Sequence, residues 1–382
     1  MLIYVIPAIY PSFEYPQSGI FVQEHCAALR KYTNHDFVVL NSTTVNYKNW
    51  KQCGVIKEYD DVVGHVLQRF TPGFMQSHFP KYAIKSYEKN VLELFELAIG
   101  KYGKPDLIYA HFSFPSGYIA SRISKRYSIP YIVDEHYSLY LEKNVNNCII
   151  NITRDTIENA SAFLCVSEQL KNAIIDYTKT EAKITVIPNL INDRYSYRKR
   201  VNKDQFIFFS AGNFFKNKNF ELLIDAFGVA FSDNNSVKLL IAGDGELKPA
   251  IEKKISELKL EKSVELLGRL NSNQMLEQYI ISDCFVLLSG HETFGIVYRE
   301  AMAVGRPVIS SKNGGIDDGW CERNGYIVKE LTVQEAARAL VKMVENYEQF
   351  DLKEISDSCR LLFSEKEIAL RVESVLNSIQ NI

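Results

Sequence analysis

The chain has 382 residues, 46% of them hydrophobic and 24% charged, with seven cysteines and a formal net charge of −2. That length supports two domains with separate cores, and the near-neutral balance argues against nucleic acid as a partner. An odd number of cysteines with no C-x-x-C pair argues against a disulfide framework or a zinc site and for reduced thiols.

Leu2 to Ile6 is an apolar strand at the very start, with no basic leader. No run reaches the roughly 20 apolar residues that cross a bilayer, so a cytoplasmic protein is expected. Further strands are predicted at Phe37 to Leu40, Leu107 to Ala110, Tyr131 to Val133, Phe163 to Val166 and Thr185 to Ile187. Helical spacing covers Gly19 to Lys31, Pro115 to Tyr127 and Glu168 to Tyr177. Strands alternating with helices over such distances imply parallel βαβ units. Between them, His65 to Phe79 is rich in Phe and Met, and Lys81, Lys85 and Lys89 share one face of the helix after Pro80. Two readings stand side by side: a peripheral dock on an anionic bilayer, or a packed loop with a solvated helix face.

The polar, basic stretch 191–204 reads as a linker. A second strand series follows at Phe206 to Phe209, Lys238 to Ala242, Val264 to Leu267, Cys284 to Leu288, Pro307 to Ser310 and Gly325 to Val328. The expected domains are thus 1–190 and 205–363, with a helix at 364–382 closing the chain. The most informative stretch is Ser289 to Asp318, which reads as strand, tight loop, helix, strand. In a parallel sheet such a loop faces the ligand crevice. Gly295 removes a side chain where the helix begins, so the N–H groups of the first turn can approach a diphosphate, helped by the helix dipole. Glu300, inside the helix, suits two ribose hydroxyls. Glu292, in the loop, suits the ligand beyond its phosphates.

The block Glu292-Thr-Phe294-Gly295-Ile296-Val297-Tyr-Arg-Glu300 resembles the E-x7-E element of the retaining glycosyltransferases of family 4. Gly305-Arg-Pro-Val-Ile and Gly314-Gly315 are similar to that family's next two signatures, although Asp318 stands where relatives commonly carry Glu. The resemblance implies the α/β GT-B fold, two Rossmann-like domains facing across a central cleft, with the final helix crossing back onto the first. Gly212 to Asn219 resembles the family's G-R-x4-K-G element. Lys218 takes the lysine position, while Asn213 replaces the arginine and Asn219 the last glycine; Lys216 is a candidate substitute for the missing charge. Gly243-Asp-Gly245 and Gly268-Arg269 match further signatures, Arg269 lying where relatives hold the base. In the first half Tyr15 to Gly19 resembles the family's glycine loop, His111 its histidine near the transferred sugar, and His136 a second histidine.

Carried over, these matches make His111, Lys218 and Glu292 the candidate catalytic residues. The candidate donor-binding set is Gly19, Gly212, Asn213, Lys218, Arg269, Glu292, Phe294, Gly295, Ile296, Val297 and Glu300. No cofactor or metal is implied beyond the nucleotide-sugar donor, and no D-x-D is present. The acceptor is expected to be a saccharide or lipid-linked saccharide, the donor a UDP- or GDP-sugar, and the setting cell-surface polysaccharide or glycolipid synthesis. Two other readings share the architecture: a nucleotide-sugar epimerase, and a non-catalytic sugar-nucleotide or glycan-binding partner, the latter motivated by Asn213.

Overall fold

Short runs of Val, Ile, Leu and aromatic residues, buried on both faces, build two separate, largely parallel sheets. The structure is a computed structural model that describes residues 1–73, 80–142, 145–201, 204–232 and 234–380. The chain divides into two compact units: Met1–Leu190 joined by the segment from Glu365 onward, and Ile191–Ser364.

In the first unit the strands are β1 (Leu2–Pro7), β2 (Asp36–Val45), β3 (Ile56–Asp60), β4 (His65–Pro72), β5 (Leu107–His111), β6 (Tyr131–Glu135), β7 (Ala162–Cys165) and β8 (Ile184–Val186). They lie in the order β3-β4-β2-β1-β5-β6-β7-β8, and only the β3–β4 pair is antiparallel. The second unit contains β9 (Phe206–Ala211), β10 (Val237–Ala242), β11 (Val264–Gly268), β12 (Cys284–Leu287), β13 (Val308–Ser311) and β14 (Gly325–Val328). Their order is β11-β10-β9-β12-β13-β14, all parallel. In each sheet the winding reverses once, between β1 and β5 and between β9 and β12. A reversal sends the two following loops apart and opens a crevice at the strand ends, where ligands of such sheets bind.

Two expectations are corrected. Part of the Phe- and Met-rich stretch is not a loop: His65–Pro72 is strand β4, paired along β2 with Val66, Leu67, Gln68 and Phe70 buried. Its mixed polar sequence carries no alternation that would have revealed it. Residues 74–79 of that stretch and the side chain of Lys81 lie outside the described residues; Lys85 and Lys89 are exposed, and Lys89 stands 3.8 Å from Glu93. The polar stretch 191–204 does not stand apart as a spacer either. Tyr195 is buried against Tyr279, the Arg360 guanidinium donates to its carbonyl at 2.9 Å, and Arg306 donates to the Arg198 carbonyl at 3.1 Å. Aromatic and arginine side chains let a hydrophilic segment pack. Asn202 and Lys203 lie outside the described residues. Among the described residues no helix is long and apolar enough to cross a membrane.

The helix Glu365–Gln380 completes the core of the first unit. Its Ile368, Ala369, Val372 and Leu376 are buried with Val22, Cys26 and Leu29. Lys31 Nζ meets Glu365 at 2.8 Å and His35 Nε2 meets Glu373 at 2.6 Å. Leu376→Ala should therefore cost about 2–4 kcal/mol, read in urea as a lower midpoint at unchanged slope. A midpoint equal to that of the native chain would show that this helix adds little to the core.

Candidate functional site

At the β9/β12 reversal, polar side chains stitch the two diverging loops together. The loop after β9 ends in the short turn Lys216–Lys218, closed by Asn219 in the left-handed conformation (φ 52°), which asparagine tolerates. Asn219 Nδ2 donates to the Leu288 carbonyl at 2.7 Å. Asn217 Nδ2 donates to the His291 carbonyl at 3.0 Å, its Oδ1 accepts the His291 N–H at 3.1 Å, and its own carbonyl accepts the Gly290 N–H at 2.8 Å. These bonds set the two loops in register. Lys218 Nζ then reaches Glu292 Oε1 at 2.5 Å, both side chains being largely buried. The lysine stem lies against Gly212, where an added Cβ would meet Lys218 Cδ at 3.7 Å.

Glu292 leads into the helix Ile296–Val304, whose N-cap is Gly295 at φ 73°. Any side chain there would be strained, and its Cβ would lie 2.5 Å from the Tyr298 ring. Tyr298 is locked in turn: its hydroxyl donates to the Leu287 carbonyl at 2.9 Å and accepts from Asn313 at 2.9 Å. The first-turn N–H groups at Ile296 and Val297 have no partner within an α-helix, and they sit at the positive end of its dipole. One turn on, Glu300 accepts the Tyr279 hydroxyl at 2.9 Å. Lys218, Glu292, Gly295 and Glu300 thus belong to one structural neighbourhood, made of a cation, an anion-binding helix start and two carboxylates.

Other members of the expected set fall differently. Phe294 is buried, its ring 5.4 Å from Phe363, so it contributes core packing and leaves only its backbone to a ligand. Arg269 has a side chain 73% exposed, 3.6 Å from Asp244. Asn213 and Lys216 are both exposed on the loop after β9. Tyr279 and Asn217 carried no signal in the sequence. An apolar helix position and the middle of a lysine-rich loop look ordinary until the chain closes on them.

At the β1/β5 reversal of the first unit, Gly19 (φ 71°) caps the helix Ile20–Tyr32, and a Cβ there would lie 2.5 Å from the Ile9 carbonyl oxygen. His111 ends β5, opposite Asp134 on β6. Its side chain is wholly buried: Nδ1 faces His136 Nε2 at 3.2 Å and Nε2 faces Cys26 Sγ at 3.7 Å, with Tyr109 and His136 stacked on either side. His111 therefore backs His136, which retains 8% exposure, rather than standing at the surface itself. Asp134 Oδ2 lies 3.7 Å from His136 Nε2 and 3.9 Å from His25 Nε2, and it accepts the Tyr109 hydroxyl at 3.2 Å. Burial holds every member neutral. The Asp134 carboxyl is pushed up to about 8, while His25 falls to about 4, His136 to about 3, and His111 well below the usual imidazole range. His111, Asp134 and His136 offer ligand atoms within 4.8 Å of one another, so among the described residues they are the group that could hold a cation. His25 and Asp134 were not in the expected set; the strand register that joins Asp134 to His111 is invisible in the chain order.

Comparison with known proteins gives a consistent picture. The family described as glycosyl transferases group 1 matches residues 192–354, and that described as Glycosyltransferase Family 4 matches residues 19–195. An uncharacterized glycosyltransferase of Methanocaldococcus jannaschii is 26% identical over 353 residues, 90% of each chain. A putative teichuronic acid biosynthesis glycosyltransferase of Bacillus subtilis is 25% identical over 378 residues, 94% of this chain and 92% of that one. Among solved structures, sucrose-phosphate synthase from Thermosynechococcus elongatus superposes with a TM-score of 0.79 at 17% identity over the whole of both chains. HepE from Anabaena does so at 0.74 and 17%, over 99% of this chain and all of the other.

The buried cluster predicts an unusual pH dependence. Between about pH 4 and 6.5 the unfolded chain binds protons that His25 and His136 refuse, so stability rises with pH. From about pH 6.5 to 8 the folded chain keeps a proton on Asp134 that the unfolded chain has lost, and this group's contribution falls by up to tenfold in the folding constant per pH unit. In EDTA buffer, urea unfolding should show stability falling over that upper range in the native chain and less so in Asp134→Asn. Equal slopes in the two proteins would contradict the neutral, buried carboxyl.

Proposed function

The chain belongs to the group 1 glycosyltransferases and has the GT-B fold; from that premise we propose that it moves a hexosyl unit from a nucleotide-diphosphate sugar to a hydroxyl acceptor. The transfer retains the anomeric configuration and uses no metal. The observation that carries this reading is the Lys218–Glu292 pair at 2.5 Å, beside the helix start at Gly295 and one turn from Glu300.

Each part has a role in the proposed step. The first-turn amides and Lys218 take the diphosphate, supplying the positive charge that the leaving group needs as it departs. Glu300 accepts the ribose hydroxyls, exchanging its bond from Tyr279 for bonds to the ligand. A doubly charged diphosphate attracts a cation more strongly than a single carboxylate does, so Lys218 can leave Glu292 for the ligand, and Glu292 then accepts from hydroxyls of the sugar. The acceptor hydroxyl approaches the anomeric carbon on the face the diphosphate leaves. The bond from that carbon to the phosphate oxygen breaks, the bond to the acceptor oxygen forms, and the acceptor proton passes to the departing phosphate. No side chain is asked to act as a covalent nucleophile.

Complexes of Anabaena HepE with UDP, UDP-glucose and glucose support a uridine donor. The teichuronic acid relative supports a cell-surface polysaccharide as the setting, and a similar alpha-monoglucosyldiacylglycerol synthase supports a lipid-linked acceptor, with peripheral contact at the inner face of the membrane. Exposed Asn213, where relatives carry arginine, favours the second reading, a partner that binds sugar nucleotides without turning them over.

Calorimetric titration with UDP, GDP and ADP in metal-free buffer tests the donor reading. One nucleotide should bind, and Lys218→Ala and Glu300→Ala should each weaken it by about tenfold or more, as expected for a lost charge-assisted contact. Binding of none of the three removes the donor site. Tight binding without turnover of the matching nucleotide sugars moves the non-catalytic reading to the front.

A further inference from the structure

Arg299, the neighbour of Glu300 on the helix Ile296–Val304, is wholly buried. Its guanidinium carbon lies 5.4 Å from the Phe294 ring centre and 5.1 Å from that of Phe363. Nη2 donates to three carbonyls of the loop after β13: Gly315 at 3.2 Å, Ile316 at 3.0 Å, and Asp318. Nε and Nη1 are buried with no hydrogen-bond partner among the described residues. Taking a cation out of water for three carbonyls and two rings is costly. An aliphatic side chain would fill the space between Phe294 and Phe363 with no such cost.

The same loop forms one wall of Glu292. The Asn313 carbonyl accepts the Glu292 N–H at 3.1 Å, and Asn313 Oδ1 accepts the Ile316 N–H at 3.2 Å. Gly315 approaches so closely that a Cβ on it would lie 2.5 Å from Glu292 Cβ and 2.9 Å from the Glu292 carbonyl oxygen. Nothing larger than glycine fits, so the position of Glu292 follows the position of the loop. The loop in turn is gathered from beneath by Arg299.

We propose that Arg299 is a positioning residue for the donor site: its buried cation collects the carbonyls of Gly315, Ile316 and Asp318 and thereby sets Glu292 against the sugar end of the donor. This rests on the donor reading above, and it separates two parts of the site. Lys218, the helix start and Glu300 serve the nucleotide, whereas Arg299 acts through Glu292 on the sugar alone.

The test compares UDP with UDP-glucose, and GDP with GDP-mannose as a second pair, on the native chain, Arg299→Met and Gly315→Ala. Methionine fills the slot between the two rings without the charge; alanine leaves Arg299 untouched and pushes the loop from the Glu292 side. Both variants should bind the nucleotide within about twofold of the native chain. Both should bind the nucleotide sugar about 10- to 100-fold more weakly, the cost of a misplaced contact group, and the effects should not add in the double variant. Native affinities for both ligands, or equal losses for nucleotide and nucleotide sugar, overturn the proposal, the latter by showing a merely structural role. Should Arg299→Met fail to unfold cooperatively, Gly315→Ala decides the matter alone. A native chain that binds neither pair refutes the donor reading itself, a result distinct from either.

Discussion

In the second unit everything at the candidate site follows from one topological constraint. A parallel sheet that winds outward in both directions from β9 and β12 must part its loops there, and the parting leaves backbone groups of both loops without strand partners. The chain meets that demand with amides rather than with bulk. Asn217 and Asn219 bind the carbonyls and amides of the loop after β12 and so fix where Lys218 points. Once the asparagines have set the register, the lysine and Glu292 can meet across 74 residues of sequence. Gly295 and Tyr298 then hold the helix start at the same place. Packing and chemistry cannot be separated here, because the bonds that close the loops also aim the charges.

The first unit solves the corresponding problem in the opposite way. At its reversal the polar groups are turned inward, and His25, Tyr109, His111, Asp134 and His136 are linked by hydrogen bonds in the interior. Such a network is stable while its members stay uncharged, since a lone charge at that depth would cost far more than the hydrogen bonds return. Neutral imidazoles under a nearly buried His136 make a rigid floor for whatever that histidine meets. In the second unit Arg299 and Arg306 keep a charge at such depth; backbone carbonyls accept from both, and two aromatic rings flank Arg299.

Much of this was legible in the chain. The E-x-F-G-x4-E block could be read because it encodes backbone requirements as well as side chains: Gly295 marks a left-handed cap, and the helix that follows has a plain apolar face. Eight to twelve residues of local pattern suffice for that. Strands β1, β2 and β5 to β14 were apparent for the same reason, being marked by short runs with little polar content. What stayed hidden depends on long-range closure. Strand β4 mixes polar and apolar residues and is recognisable only beside β2, and Tyr195 turns a hydrophilic stretch into packed structure only against Tyr279. Arg299 reads as a solvated helix residue until the loop after β13 arrives over it. Phe294 belongs to the same motif, and its side chain is buried beside Phe363.

The central claim is that the crevice at the β9/β12 reversal, with Lys218 as its cation, is the donor site, and a crystal structure of the chain with UDP tests it most directly. The account predicts the diphosphate at the first-turn amides of Ile296 and Val297, Lys218 Nζ moved from Glu292 to a phosphate oxygen, and the ribose on Glu300. A nucleotide seated elsewhere, or one bound here with Lys218 still held by Glu292 alone, would contradict it.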